Sequence, residues 1–344
     1  MAEPSTDNVG ATRWYRSSFW PYLGGKVLGA LISFLVMLVI GFMIFNVMPS
    51  DPVATLAREH PTTAEQRAKL RHQFGLDLPV WHRFLNFVGH TVQGKLGDSW
   101  QYHQSVASLI GERLWPTVLL IGSSTVISVA LGLWLGIRAG WRHGSAFDRT
   151  ASGVSLVLWS VPTFWLGLIL LVLFTVGVGP IPSGLFPAGQ MSTPGFSGSW
   201  LAQVGDTVHH LILPCLTLVL VIFAQYVTIM RSSIIDELGS PYLLTARAKG
   251  LRDDDVRRRH AVPNALLPSV TVIFVQLGTI VGGAIAVETV YSWPGLGFLT
   301  FQALQIPDLP LLEGTFLVLS ASVILMNLIA DMLYRVLDPR VRAQ

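Results

Sequence analysis

Six stretches of this chain are too long and too apolar for a water-solvated fold. They run at about Val27–Val47, Thr117–Ile137, Ser152–Val176, Leu211–Met230, Ser269–Val290 and Thr315–Leu337. About 20 residues at 1.5 Å each cross a hydrocarbon core of about 30 Å. In lipid only helices and closed barrels satisfy their backbone groups. Barrel strands would be short and alternating, whereas these runs are continuous. Charged residues make up only 12% of the 344 residues, about half the share usual in soluble domains. The expected fold is therefore an all-α integral membrane protein with six transmembrane helices.

Lysine and arginine set the expected orientation, since short cytoplasmic segments carry the excess. With the N-terminus inside, the inner segments hold Arg13, Arg16 and Lys26; Arg138, Arg142 and Arg149; seven cations from Arg231 to Arg259; and Arg335, Arg340 and Arg342. The other seven of the 23 all fall in 49–116, a segment long enough to cross with little regard to charge. Both termini are thus expected in the cytoplasm. The net charge of +3 follows from this membrane pattern and implies no nucleic-acid partner. The first span lacks a small-x-small cleavage pattern and reads as an uncleaved anchor, behind a polar lead expected to be disordered over residues 1–12.

The resulting division is a cytoplasmic segment 1–26, a first span 27–48, an extracytoplasmic helical insertion 49–116, a five-span core 117–337 and a cytoplasmic tail 338–344. Within the insertion, Thr62–Phe74 has an amphipathic pattern stopped by Gly75, and Trp81, Phe84 and Phe87 repeat at helical spacing. Pro180, Pro182, Pro187 and Pro194 make the loop after the third span irregular, and Pro162 should kink that span. Cys215, the sole cysteine, lies in an apolar run as a small packing residue.

The most informative stretch is cytoplasmic, at 240–263. Ser240 suits an N-cap and Pro241 the first helical position. Tyr242–Lys249 then reads as a two-turn helix, with Arg247 and Lys249 favourable at its C-terminal end. Gly250 supplies a left-handed stop. A second helix is expected over Asp253–His260, its three aspartates first and three arginines last. Pro263 should end it, because Val262 before a proline avoids helical angles. Two stiff helices with a glycine hinge make a docking knob for a soluble protein.

Thr245-Ala246-Arg247-Ala248-Lys249-Gly250-Leu251, followed by His260 and Asn264-Ala265-Leu266-Leu267-Pro268, resembles the coupling loop of the dipeptide/oligopeptide permease family of ATP-binding-cassette importers. Leu244 stands where the broader importer pattern has Glu, and Pro263 where the peptide branch usually has Arg or Lys. Further motifs resemble the same family: Met48-Pro49-Ser50-Asp51-Pro52, Phe74-Gly75-Leu76-Asp77, Gly94–Ser99, Val161–Gly167, Glu288–Gly297, and Asn327 through Asp331 and Tyr334 to Arg340. The resemblance spans about residues 20–342. It implies the six-helix fold of type I importer permeases, in the bacterial cytoplasmic membrane. It also implies a paralogous permease subunit, two ATPase subunits or a fused one, and an extracytoplasmic binding protein that delivers di- or oligopeptides. Nickel chelates, glutathione, opines or sugars are the alternative solutes. Residues 242, 245–251, 260 and 263 would couple to the ATPases, here Tyr242, Thr245–Leu251, His260 and Pro263.

The residues themselves agree. No Gly-x4-Gly-Lys-Ser/Thr loop is present, so ATP and Mg are expected on the partner ATPases and no cofactor on this chain. Neither a His-Glu-x2-His metal spacing nor a Gly-x-Ser-x-Gly nucleophile occurs, so enzyme activity and metal binding are not expected. An ion-coupled secondary transporter would carry paired intramembrane carboxylates and an inverted repeat, and neither is visible. Gln225 and Gln276 either line the passage or bond across helices. Glu288 and Trp293 are candidates at its outer end. Asn327 and Asp331 share a face with Tyr334, as an inner interface or a gate, and Asp331 could pair with Arg335. Gly282-Gly283 favours close helix packing over a hinge.

Overall fold

A computed structural model describes residues 8–47, 63, 65, 78–266, 269, 273 and 284–337, with side chains placed for those between 21 and 332. Among the described residues the chain is all-α, with no strand beyond one isolated bridge between Asp98 and Ser105. Its elements are α1 (Asn8–Phe42, continued by a π-turn Met43–Val47), α2 (Val80–Val92), α3 (Val106–Trp141), α4 (Ala146–Ser160), α5 (Thr163–Leu171, continued by a π-turn Val172–Gly177) and α6 (Trp200–Leu238). Then come α7 (Pro241–Ala248), α8 (Asp253–Val256, continued by a π-turn Arg257–Ala261), α9 (Leu296–Gln305) and α10 (Leu309–Leu337).

Four helices among the described residues are long and apolar enough to cross a bilayer, and the pair α4/α5 supplies a fifth. The expected fifth span lies mostly outside the described residues, as do Gln276, the Gly282-Gly283 pair and most of Thr62–Phe74. Residues 284–290 of that span are helical.

Several expectations need correction. The lead is helical from Asn8, because extending an existing helix costs far less than starting one. α3 starts at Val106 rather than Thr117, and α6 at Trp200 rather than Leu211, so both helices overshoot the apolar windows. Ser199 stops α6 from unravelling, its hydroxyl accepting from Ala202 N at 3.4 Å. The third span is not kinked at Pro162 but broken, its two halves meeting at 98°. Val161 is extended there (φ −81°, ψ 128°), as the residue before proline prefers.

α3 and α6 form the centre. Gly132, Gly136 and Gly140 lie at four-residue spacing on α3. A Cβ on Gly132 would stand 2.5 Å from Tyr226 Cβ, one on Gly136 2.7 Å from Met230 Cβ, and one on Gly140 2.8 Å from Ile234 Cβ. Lipid removes the hydrophobic drive between helices, so such backbone approach is what holds them. Both series rise together, so α3 and α6 run parallel. The chain between them must therefore recross the bilayer, which makes α4/α5 a broken span rather than a re-entrant loop. α10 runs antiparallel to α1: Lys26 meets Asp331 near one end and Asn46 meets Glu313 near the other. On the insertion, Phe84 and Phe87 pack on Phe42 at 5.3 and 5.7 Å between ring centroids, while Trp81 is exposed.

Candidate functional site

The loop between α6 and the fifth span folds as a small unit with its own core. Leu243, Ala246, Val256 and Ala261 are buried together, against Trp141 at the end of α3. Ala246 is thus an internal packing residue of this unit. Gly250 has φ +79°, the left-handed geometry its type allows without strain. The turn is closed by Gly250 N donating to Arg247 O at 2.9 Å and Leu251 N to Ala246 O at 3.4 Å. Across it, Arg247 pairs with Asp253 at 3.3 Å and lies over the Trp141 ring at 5.6 Å. Trp141 Nε1 donates to Asp253 Oδ2 at 2.9 Å. One aspartate therefore joins α7, α8 and α3.

Ser240 differs from expectation. Its hydroxyl does not cap α7 but donates to Glu237 Oε2 at 3.1 Å, and the Tyr242 hydroxyl donates to the same oxygen. Glu237 thereby fixes α7 to the end of α6. Burial, with this carboxylate beside it, raises the Tyr242 hydroxyl above the usual phenol range. Pro263 differs too. It does not end the second helix: Val262 is helical (φ −59°, ψ −46°) and the helix continues through residue 266. A proline at 263 clashes with the carbonyl four residues back. The turn before it widens instead, with Val262 N donating to Arg257 O five residues earlier. Asn264 Nδ2 takes the carbonyl of His260 at 2.9 Å. Leu244 and Leu251 face outward, with Tyr242, Thr245, Ala248, Lys249 and Pro263 also exposed and His260 half-buried.

A second fixed point sits at the opposite end of α3 and α6. Glu288 is wholly buried. Thr117 Oγ1 donates to its Oε1 at 2.7 Å, and Gly297 N and Phe298 N donate to Oε2 at 2.7 and 3.0 Å. Its carboxyl group caps α9. Gly295 must be glycine, since a Cβ there would lie 2.3 Å from Glu288 Oε1. Trp293, also wholly buried, donates from Nε1 to Pro116 O at 2.9 Å. The Tyr291 hydroxyl donates to Gly167 O at 3.0 Å and lies 3.0 Å from Thr217 Oγ1. The stretch 288–297 thus joins α3, α5, α6 and α9. Both pathway candidates in it, Glu288 and Trp293, have their polar atoms occupied by this network.

The remaining candidates are dispersed. Gln225 is half-buried on α6 and Asn327 is exposed on α10. Asp331 accepts from Lys26 Nζ at 2.9 Å, a partner on α1 that the helical spacing from Arg335 does not suggest. The side chains of Tyr334 and Arg335 lie outside the described residues.

The sequence reading missed a clamp below the seam. Asp148 on α4 is buried and accepts from Arg231 of α6 at 2.5 and 2.9 Å, from Gly144 N at 2.9 Å, and lies 3.3 Å from His143 Nδ1. No local pattern announces a contact 83 residues apart. The glycine seam was passed over in the same way, although its three glycines stand four residues apart.

Residues 128–343 match a family model described as a binding-protein-dependent transport system inner membrane component, and residues 20–121 match the N-terminal model of the same transport systems. The chain is 36% identical over 328 residues to the dipeptide transport system permease protein of Escherichia coli K12, covering 92% of this chain and 97% of that one. A putative peptide permease protein of Brucella suis is 37% identical over 92% of this chain and 96% of its own. The glutathione transport system permease protein of Pectobacterium atrosepticum is 35% identical over 93% and 98%.

Proposed function

Because the chain belongs to the family of binding-protein-dependent transport system inner membrane components, we propose that it carries di- and oligopeptides inward as half of a translocation pathway. It is a multi-pass inner-membrane permease subunit with the all-α fold of type I ABC importers. A paralogous permease subunit forms the other half, and an extracytoplasmic binding protein delivers the solute. ATP and Mg reside on partner ATPases, and this chain performs no chemistry. The distribution of lysine and arginine supports cytoplasmic termini and a cytoplasmic α7–α8 unit.

One observation supports the coupling role above all: residues 241–261 form a rigid body with its own core, braced to α3 through Trp141 and to α6 through Glu237. A loop that yielded would absorb an ATPase's displacement; this unit passes it to two spans at once. Exposed Tyr242, Leu244 and Leu251 offer an apolar contact within a basic rim. Gly250→Pro, which requires φ near −65° where the chain has +79°, should leave membrane insertion intact. In reconstituted vesicles it should cut ATP-driven uptake at least tenfold while ATP hydrolysis persists. Normal uptake by this variant would defeat the coupling assignment. The glutathione permease relative keeps that solute as a second reading. Mass spectrometry of the ligand released from the partner binding protein decides between them.

A further inference from the structure

Where the end of α1 meets α2 and the start of α10, the chain forms an open-sided cavity of about 930 Å³, within the size range of small-solute sites. Asn46, Arg83, His90, Lys95, Gln101 and Glu313 are among its lining residues. Glu313 sits in the second turn of a spanning helix, where a carboxylate is costly and marks function by default. Capping of α10 does not require it. Asp308 already caps α10, accepting from Leu311 N at 3.2 Å, Gln101 N at 3.0 Å and Ser99 Oγ at 2.5 Å. Glu313 receives a bond from Asn46 Nδ2 at 2.9 Å on Oε1. Gln101 lines the same cavity, and its Oε1 is buried with no donor among the described residues, which native proteins rarely leave so. These acceptors ask for a cationic donor. The same wall carries cations: Arg83, which gives one N–H to Asn46 O at 2.6 Å, and Lys95, which meets no carboxylate among the described residues.

A cavity walled by a carboxylate on one side and by cations that meet no carboxylate among the described residues matches a solute carrying both an ammonium and a carboxylate. We propose that it is a way-station for the transported peptide, its α-ammonium on Glu313 and Gln101 and its carboxylate among Arg83, Lys95 and His90. This site rests on the peptide reading above. It lies within one subunit, beside the insertion.

The test uses the complete importer in vesicles, with a dipeptide bearing a photoreactive diazirine. Glu313→Gln keeps an oxygen for Asn46 and removes the charge. It should raise the half-saturating dipeptide concentration about tenfold, the loss of one charge-assisted bond. It should also reduce crosslinks, mapped by mass spectrometry, to 96–101 and 306–317. Gln101→Leu, which fills the space without the orphan oxygen, should shift the same two readouts in the same direction and serves if Glu313→Gln assembles poorly. Import with unchanged half-saturation and crosslinks elsewhere would overturn the site while leaving the peptide reading intact. A carbodiimide crosslink from Glu313 to a lysine of the binding protein would overturn it in favour of a docking contact. If the wild-type importer takes up no dipeptide, the peptide reading falls and the site with it.

Discussion

Two pairs of spans in this chain are joined in opposite ways. α3 and α6 meet backbone to backbone: three glycines of α3 lie where any Cβ would overlap Tyr226, Met230 or Ile234. α1 and α10 meet through long side chains instead. Met37 and Leu38 pack on Leu317, Phe45 lies 5.6 Å from Phe316, and the ion pair Lys26–Asp331 closes the far end. A seam of interlocked backbones has one register and resists sliding, because packed interfaces shift in steps rather than continuously. Side chains with several rotamers tolerate small displacements. The α3/α6 pair also carries both fixed points, the α7–α8 unit at one end and the Glu288 network at the other. A push received near Trp141 therefore travels along a single body. α10 joins that body mainly at its own start, where Leu311 packs with Val106 and Ile110 and Gly314 lies against Val106.

The largest effect is expected where the seam is forced apart. Gly132→Leu or Gly136→Leu places a side chain inside Tyr226, Phe223 O, Met230 or Val227 O. The subunit should fail to assemble, its detergent-extracted yield falling more than tenfold. Gly136→Ala should cost about 1–3 kcal/mol of overpacking and lower the thermal midpoint. Wild-type midpoints for the alanine variant would mean that the helices can separate, and the single-body description would go with them.

Glu288 tests how far that body reaches. Glu288→Leu strands three donors, Thr117 Oγ1, Gly297 N and Phe298 N, at about 1–3 kcal/mol each. It should reduce the extracted yield by less than the seam leucines, lower the thermal midpoint, and loosen α9, read as faster hydrogen exchange across Leu296–Gln305. Glu288→Gln keeps an acceptor and should lie between Leu and wild type. Equal exchange rates in all three would detach α9 from the body.

These two regions also differ in how far the sequence revealed them. The apolar runs located the spans that lie among the described residues, because a bilayer demands about 20 residues whatever the tertiary fold. Gly250 was legible because only a left-handed turn needs glycine between two short helices, and its φ of +79° bears that out. Pro263 misled, since the rule for the residue before proline ignores a widened turn that lets the helix pass. Glu288 was legible as a residue near a span end but not as the cap of a helix eight residues on, for α9 lies in a segment that reads as loop. Asp148–Arg231 and Lys26–Asp331 were not legible at all. Each is a contact between helices distant in sequence, and hydropathy carries no information on which faces meet.

The smallest effect is expected at Lys26. Its ammonium meets Asp331 at 2.9 Å, but the two side chains are 39% and 42% exposed, and pairs that open contribute about 0–1 kcal/mol. Lys26→Met leaves the apolar stem to pack and removes only the charge, so stability should fall by less than about 1 kcal/mol. Tyr22 still donates to Asp331 O at 3.1 Å and holds the helix end. If α1 and α10 are the adaptable pair, uptake should also stay within about twofold of wild type in the vesicle assay. A loss as large as that of the seam variants would instead make this ion pair a lock, and α1 and α10 would have to be counted as rigid as α3 and α6.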